Sequence, residues 1–250
     1  MTGSRADGAL SVARADGIVT VTLNRPDKAN AITMAMLREL TALAGEVAQD
    51  AGVKTLVLTG SGGRIFSAGA DLTEIRAQVA DPDTALAYDA LWRETTGSLA
   101  RLPTPTIALL NGSCIGGGLA LVLACDIRLM VDGGQIFYPT LKNGFLPERH
   151  DAGRLIGLIG KARTKTLLLG GLRLSAREAH DWGLVDRVFD PVTATEETAA
   201  FLAPIVAAET DHLVATKRII DFVDDDMVTA DCHAAVYQKN AAAIQRLRKL

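Results

Sequence analysis

Aromatic residues are the scarcest class in this chain: Phe, Trp and Tyr together make up 4% of it. A core so poor in rings has to be filled by aliphatic side chains and alanine. A basic surplus is also lacking. Lys and Arg number 26 against 29 Asp and Glu, a formal net charge of −3. Nothing there would neutralise a phosphate backbone, so nucleic acid is not an expected partner. No tract of 18 apolar residues occurs. The greasiest stretch, Leu119 to Ala124, is broken by Asp126 and Arg128, so no membrane span is expected. The first residues include Arg5 and Asp7 but no apolar segment, and secretion is not expected. Cysteine is limited to Cys114, Cys125 and Cys232. An odd number at wide spacing reads as reduced thiols of a cytoplasmic protein, not as a disulfide framework.

Cofactor motifs are missing too. Gly160-Lys161 is followed by Ala162, so there is no phosphate-binding P-loop, and no G-x-G-x-x-G follows a strand. Neither H-E-x-x-H nor C-x-x-C is present, and His150, His180, His212 and His233 lack metal-ligand spacing. A metal or nicotinamide enzyme is therefore not expected.

What remains is a chain of 250 residues, 48% hydrophobic and 22% charged. That composition is ordinary for a soluble globular protein. The length is large for one domain and small for two. Ser11 to Arg14 and Ile18 to Asn24 alternate apolar and polar around Asp16-Gly17 and predict a hairpin. Thr33 is placed to cap a helix with Met34, Leu37, Leu40, Leu43 and Val47 on one face. Lys54 to Thr59 and Thr106 to Leu110 read as buried strands, and 84–101 as a helix stopped by Pro103 and Pro105. Asn111 to Gly118 reads as a loop opening onto a helix near Leu119, followed by short strands at Ile127 to Val131 and Gln135 to Tyr138. Gly144 to Gly153 is loop-like and Arg154 to Leu169 helical. Ser175 to Glu178 and Thr193 to Glu196 each fit a capping box. The chain beyond them reads as helical. Alternating strands and helices up to about residue 190 indicate an α/β fold, with a boundary expected between 1–192 and 193–250.

Two glycine-rich turns stand out, Phe66 to Asp71 (F-S-A-G-A-D) and Asn111 to Gly118 (N-G-S-C-I-G-G-G). Small residues let a ligand approach the backbone. In the second turn a helix N-terminus would leave N–H groups free to hold developing negative charge. Two such groups aimed at one carbonyl oxygen form an oxyanion hole. Close packing of helix on strand is the alternative.

The two turns, Phe66 to Leu72 and Asn111 to Asp126, resemble motifs of the crotonase (enoyl-CoA hydratase/isomerase) superfamily. So do Asn24-Arg25-Pro26-x-Lys28-x-Asn30-Ala31 and Leu174-Ser175-Ala176-x-Glu178-Ala179-x-x-Trp182-Gly183-Leu184-Val185. The four matches are collinear across residues 10–220. The resemblance implies a spiral of ββα turns with a C-terminal helical region that trimerises, as a homotrimer or a dimer of trimers. It implies an acyl-CoA thioester as substrate and no further cofactor, coenzyme A being part of the substrate. The thioester oxygen would be held by the N–H groups of Ala68 and Gly117. Substrate contacts would fall at Lys28, Ala29, Ala70, Asp71, Leu72, Gly116 and Thr140.

The resemblance also says where acids are lacking. The positions of the family's two hydratase glutamates carry Ala120 and Thr140 here. Neither is a general base near neutral pH. An acid does follow Pro147, namely Glu148, at a third position used by Δ3,Δ2-enoyl-CoA isomerases. Glu148 would take a proton from C2 of a 3-enoyl-CoA and return it to C4, within an apolar lining drawn from Phe66, Leu141, Phe145 and Leu146. The alternative is a first-turn glutamate complementing a helix dipole. Glycines usual after that position are replaced by Arg149, His150 and Asp151. His150 and Asp151 read as surface loop residues, with a second base as the alternative for each and a helix N-cap as a further one for Asp151. Asp71 reads as a cap, Asp126 as structural, and Tyr138 as packed or donating a hydrogen bond. Trp182, Tyr237 and Lys239 belong at a subunit contact or near coenzyme A. The apolar positions Val214, Ile219, Ile220 and Val223 of the tail need a partner surface.

Overall fold

The computed structural model describes residues 2–78, 81–144 and 146–221. The positions of Phe145, Val223, Cys232, His233, Tyr237 and Lys239 lie outside them. Two sheets organise the described chain. The large one has seven strands in the order β1 (Thr2–Arg5), β2 (Leu10–Ala15), β3 (Ile18–Leu23), β4 (Thr55–Gly60), β6 (Thr106–Leu110), β8 (Ile127–Val131) and β11 (Arg187–Phe189). The small one has four: β10 (Leu174–Ser175), β9 (Gln135–Phe137), β7 (Ser113–Ile115) and β5 (Ile65–Ser67). The hairpin β2–β3 is antiparallel; from β3 onward the large sheet is parallel. Three of the parallel strands of the large sheet, β4, β6 and β8, are each followed by one of the small sheet and then by helix. β4–β5 leads to α2 (Leu72–Gln78) and α3 (Pro82–Ala100), β6–β7 to α4 (Gly117–Leu123), and β8–β9 to α5 (Thr140–Asn143) and α6 (Arg149–Leu169). This is the expected ββα spiral.

The strands' apolar runs follow from burial on both faces. In β4, Leu56 and Leu58 face the main core, whereas Val57 joins Ile107, Leu129 and Phe189 on the opposite side. That second side is covered by α8 (Ala194–Ala207), through Leu202 with Phe201 and Ile205. The main core receives α1 (Met34–Gln49) by Leu37, Leu40, Leu43 and Val47. Each such buried aliphatic side chain contributes about 1.5–3 kcal/mol. Thr33 caps α1, its side chain accepting from the Met36 N–H at 3.2 Å. Ser175 and Glu178 form the reciprocal capping box of α7 (Ala176–Asp181). The last described helix, α9 (Thr210–Asp221), is tied down by the buried Lys217. Its Nζ lies 2.7 Å from Asp126 Oδ2, which also accepts from Thr106 N–H and hydroxyl. Asp126 is thus structural.

Several local expectations need correction. Asn111 to Gly118 is not all loop: it contains β7, because Gly112 lies flush on the backbone of Arg64 and lets Ser113–Ile115 pair with β5 and β9. α6 begins at Arg149, five residues before the expected start at Arg154. Gly153 does not delay it, because the first turn is held by the bond from the Tyr138 hydroxyl to Asp151. α6 also kinks at Gly160. The second capping box does not form. Thr193 has helical backbone angles, and its hydroxyl donates to Glu197 instead of receiving the Glu196 N–H. β1, β10 and β11 carry too few residues, or too exposed a pattern, for alternation to reveal them. Trp182 is half-buried beside the main core, with the Arg163 guanidinium 5.6 Å from its ring centre, so part of it stays exposed for the expected contact with a second subunit or coenzyme A.

Candidate active site

Because β5, β7 and β9 are parallel neighbours, the residues that follow them emerge at one edge of the small sheet. This brings Ala68–Ala70, Gly116–Gly117 and Tyr138–Pro139 to one cavity of about 320 Å³. Ligands of parallel sheets commonly sit at this carboxyl edge.

The first wall is backbone. Asn30 is almost wholly buried; its Oδ1 accepts from the Arg25 N–H and its amide donates to the carbonyls of Ser61 and Ile65. It thereby fastens the 24–31 loop beside β5. The Ala68 N–H is consumed by this contact, donating to Ala29 O at 2.9 Å. Ala68 is therefore not the free donor expected from the sequence. One residue further, Ile32 bridges across Ala70: its N–H donates to Gly69 O at 2.8 Å and its carbonyl accepts from Asp71 N–H at 2.9 Å. In such a parallel bridge the central residue's own N–H points away from the pairing strand. For Ala70 that direction leads to Gly117. A Cβ on Gly117 would lie 3.2 Å from Ala70 N and 2.7 Å from the Trp92 ring; one on Gly69 would lie 3.0 Å from Gly117 N. Gly117 opens α4, where an N–H has no partner within the helix. Gly69 (φ +94°) and Gly116 (φ +51°, ψ −122°) hold backbone conformations that side chains disfavour. Gly116 spends its own N–H on Phe137 O at 3.1 Å. The amides left side by side are those of Ala70 and Gly117.

The remaining contact positions divide. Ala68, Ala70, Leu72, Gly116 and Gly117 line the cavity, Leu72 being 57% exposed at its rim. Lys28, Ala29 and Asp71 are not among the described lining residues. Lys28 is exposed at the end of a 3₁₀ turn (Pro26–Lys28), Ala29 follows in a left-handed conformation, and Thr140 opens α5. Asp71 caps α2 by accepting from Thr73 N–H at 3.0 Å, and it pairs with Arg25 at 2.9 Å. Burial raises its carboxyl, but the bonds from Arg25 and the Thr73 N–H hold it below the ordinary value.

The second wall is made of side chains. Glu148 is the N-cap residue of α6, yet its carboxylate caps nothing. It lines the cavity, about a third exposed, 3.6 Å from Arg93 Nη1 of α3. Asp151, one turn on, also lines it but is 2% exposed. Its Oδ2 accepts the Tyr138 hydroxyl at 2.9 Å, and its Oδ1 lies 3.7 Å from Arg154 Nη1. The surface-loop reading of Asp151 is thus overturned: the helix begins early enough to turn it inward. Burial raises its carboxyl most; the negative charge of Glu148 adds, while Tyr138, Arg154 and His150 oppose. Burial together with Asp151 also drives the Tyr138 hydroxyl well above its usual range. His150 is exposed at the cavity mouth.

The apolar lining differs from expectation. Phe66 is buried behind the wall, Leu141 is 54% exposed and outside it, and only Leu146 of the described candidates lines the cavity. The apolar surface comes instead from Ile75 of α2 and from Tyr88 and Trp92 of α3. Their rings meet edge to face at 6.4 Å. Helical spacing within α3 marks these rings as one face, but only the fold brings Trp92 of that face against Gly117 of α4. Ala120 lines the cavity without contributing a proton-transfer group. Among the described residues no cluster of His, Cys, Asp and Glu could hold a metal ion, and no helix is long and apolar enough to cross a membrane.

The arrangement is that of an enzyme site: two backbone amides face two carboxyl groups across a mostly apolar cavity. Residues 13–240 match the model of the family described as enoyl-CoA hydratase/isomerase. The putative enoyl-CoA hydratase/isomerase YngF of Bacillus subtilis (strain 168) is 36% identical over 200 residues, covering 79% of this chain and 76% of that protein. A 4-chlorobenzoyl coenzyme A dehalogenase-2 of an Arthrobacter species is 32% identical over 212 residues, covering 84% and 76%. Among solved structures, an enoyl-CoA hydratase/carnithine racemase of Magnetospirillum magneticum superimposes with a TM-score of 0.88 at 30% identity, covering 95% and 92% of the two chains. The chain belongs to the enoyl-CoA hydratase/isomerase family.

Proposed function

We propose that the protein binds an acyl-CoA thioester, holds its enolate oxygen with the N–H groups of Ala70 and Gly117, and shifts a double bond from the 3- to the 2-position. The base is Glu148. One observation carries the reading: a carboxylate free of any capping duty faces the same cavity as the two adjacent amides. An amide at an oxyanion is worth about 3 kcal/mol, the more so in a cavity screened from water. Removal of the C2 proton creates the charge those amides meet. Ala120, where a hydratase glutamate would stand, leaves water activation without its usual base, which favours isomerisation over hydration. The names of the relatives span hydratase/isomerase and dehalogenase chemistry, so the reaction has to be tested directly.

Coenzyme A enters as part of the substrate and no other cofactor is required. Lys28 and Ala29, outside the cavity but on the loop fastened beside β5, are placed in this reading against the coenzyme A end. A homotrimer or dimer of trimers in the cytoplasm completes it. The test is a panel of 3-enoyl-, 2-enoyl- and aryl-CoA substrates followed by product analysis. Conversion of 3-enoyl-CoA to 2-enoyl-CoA is expected, falling by about 10²–10⁴-fold in Glu148→Gln, the range of one acid–base group. Unchanged turnover in that variant would refute the role of Glu148.

A further inference from the structure

We propose that Asp151 is a second catalytic carboxyl, the group that protonates C4 after Glu148 has taken the proton from C2. The inference rests on the isomerase reading above and adds the second half of its proton transfer.

Three features of the cavity support it. Residues 148 and 151 are one turn apart on α6, so their carboxyls share a face and both line the space beside Ala70 and Gly117. They differ in depth: the Glu148 side chain is 32% exposed and that of Asp151 3%. And Asp151 is incompletely paired for a buried carboxyl. Tyr138 occupies Oδ2 at 2.9 Å, but Arg154 Nη1 stops 3.7 Å from Oδ1, beyond hydrogen-bond length, and is itself left without a hydrogen bond. A purely structural aspartate would close that contact into a fork. A second buried group of the same cavity, the Tyr88 hydroxyl, also lacks a hydrogen-bond partner. The site therefore keeps polar capacity for a ligand.

Electrostatics assign the roles. Burial favours the protonated form of Asp151, and the Glu148 charge adds to that preference. Glu148 lies at the more exposed side of the cavity, 3.6 Å from the Arg93 guanidinium. In the forward step the Glu148 carboxylate takes the C2 proton and the C–H electron pair passes into the dienolate. The dienolate then takes a proton at C4 from the Asp151 carboxyl, leaving Asp151 ionised. Once the product has left, the proton on Glu148 passes to water at the open side of the cavity, and Asp151 is reprotonated from water. Charge and protons balance over the cycle.

The deciding experiment uses 3-hexenoyl-CoA carrying deuterium at both C2 positions, turned over by the intact protein in ordinary water, with deuterons counted in the 2-hexenoyl product by mass spectrometry. One group shuttling alone carries the abstracted deuteron to C4, and the product keeps both. Two groups lose it: the product keeps one. Loss of one deuteron is expected for the wild-type protein, with slower turnover and renewed retention of the second deuteron in Asp151→Asn. Retention of both by the wild-type protein would overturn the proposal while leaving Glu148 as the sole shuttle. Identical loss in Asp151→Asn would also overturn it. Absence of any 2-hexenoyl product would instead overturn the isomerase reading on which it rests. The wild-type count decides even where the variant does not fold.

Discussion

The two walls of the cavity are built on opposite principles. The wall from β5 and α4 works through what it omits: side chains are absent at Gly69, Gly116 and Gly117 so that two amides stand clear. The wall from α6 works through what it adds: Glu148, His150 and Asp151 bring polar side chains to the cavity, and Arg93 of α3 meets Glu148 while Tyr138 at the end of β9 meets Asp151. A backbone wall does not depend on which side chains surround it, so it can serve any reaction passing through a thioester enolate. A side-chain wall selects among such reactions. The relatives fit this division, since the chain is similar both to a protein named as a hydratase/isomerase and to one named as a dehalogenase.

The sharpest way to break the comparison is to put one methyl group on the wall that works by omission. In Gly117→Ala the new Cβ would meet the Trp92 ring at 2.7 Å and stand 3.2 Å from Ala70 N. The ring or the helix start must move, and one donor is lost or misaimed. A fall in kcat of about 10²–10³ is expected, the cost of one oxyanion donor, with the far-UV circular dichroism unchanged. A fall confined to KM would show that the amide binds substrate and transition state alike.

The same division explains what could be read from sequence. Omission leaves a strong mark: consecutive glycines after an apolar strand run have few other uses, and the two turns were legible before any coordinates. What the sequence could not resolve was which amide is free. Ala68 and Ala70 are identical small residues, and only the bond from Ala68 N–H to Ala29 O separates them. That bond joins segments 39 residues apart in sequence and leaves no local trace. Asp151 was misplaced for a related reason. Gly153 and a run of polar residues resemble a loop, whereas the bond from the Tyr138 hydroxyl to Asp151 holds a helix that starts at Arg149. Strands β2, β3, β4, β6, β8 and β9 followed from alternation and apolar runs, but their pairing beyond the β2–β3 hairpin did not. The lining by Tyr88 and Trp92 did not, because it depends on how α3 crosses the small sheet.

A smaller effect is expected from loosening the side-chain wall at its rim. Arg93 and Glu148 are both partly exposed, 44% and 32% at the side chain, and 3.6 Å apart. Ion pairs of this kind are worth about 0–1 kcal/mol. Arg93→Gln should therefore lower kcat by no more than about fivefold, and added salt should reduce wild-type activity toward the variant's. A loss as large as that of Glu148→Gln would mean that Arg93 touches substrate itself, and the wall would need redrawing around it.

The finest test asks whether the buried end of that wall is strained. The Asp151 carboxyl is raised above its ordinary value of 3.8, chiefly by burial and further by Glu148, against the pull of Tyr138, Arg154 and His150. A raised acid binds its proton more tightly in the folded chain than in the unfolded one. Its contribution to stability is then fully present below about 3.8 and is lost as pH rises through the folded value. Asp151→Asn removes that titration while keeping an acceptor for the Tyr138 hydroxyl. The variant should gain in Tm on the wild-type protein as pH rises from 4 towards 8, with the two curves converging at the acid end. Such a gain, paired with lost turnover, is the usual sign of a residue kept for chemistry at the expense of stability. Curves that run parallel across the range, or a variant that loses ground as pH rises, would instead make Asp151 a settled structural ion partner of Arg154. The α6 wall would then hold a single working carboxylate.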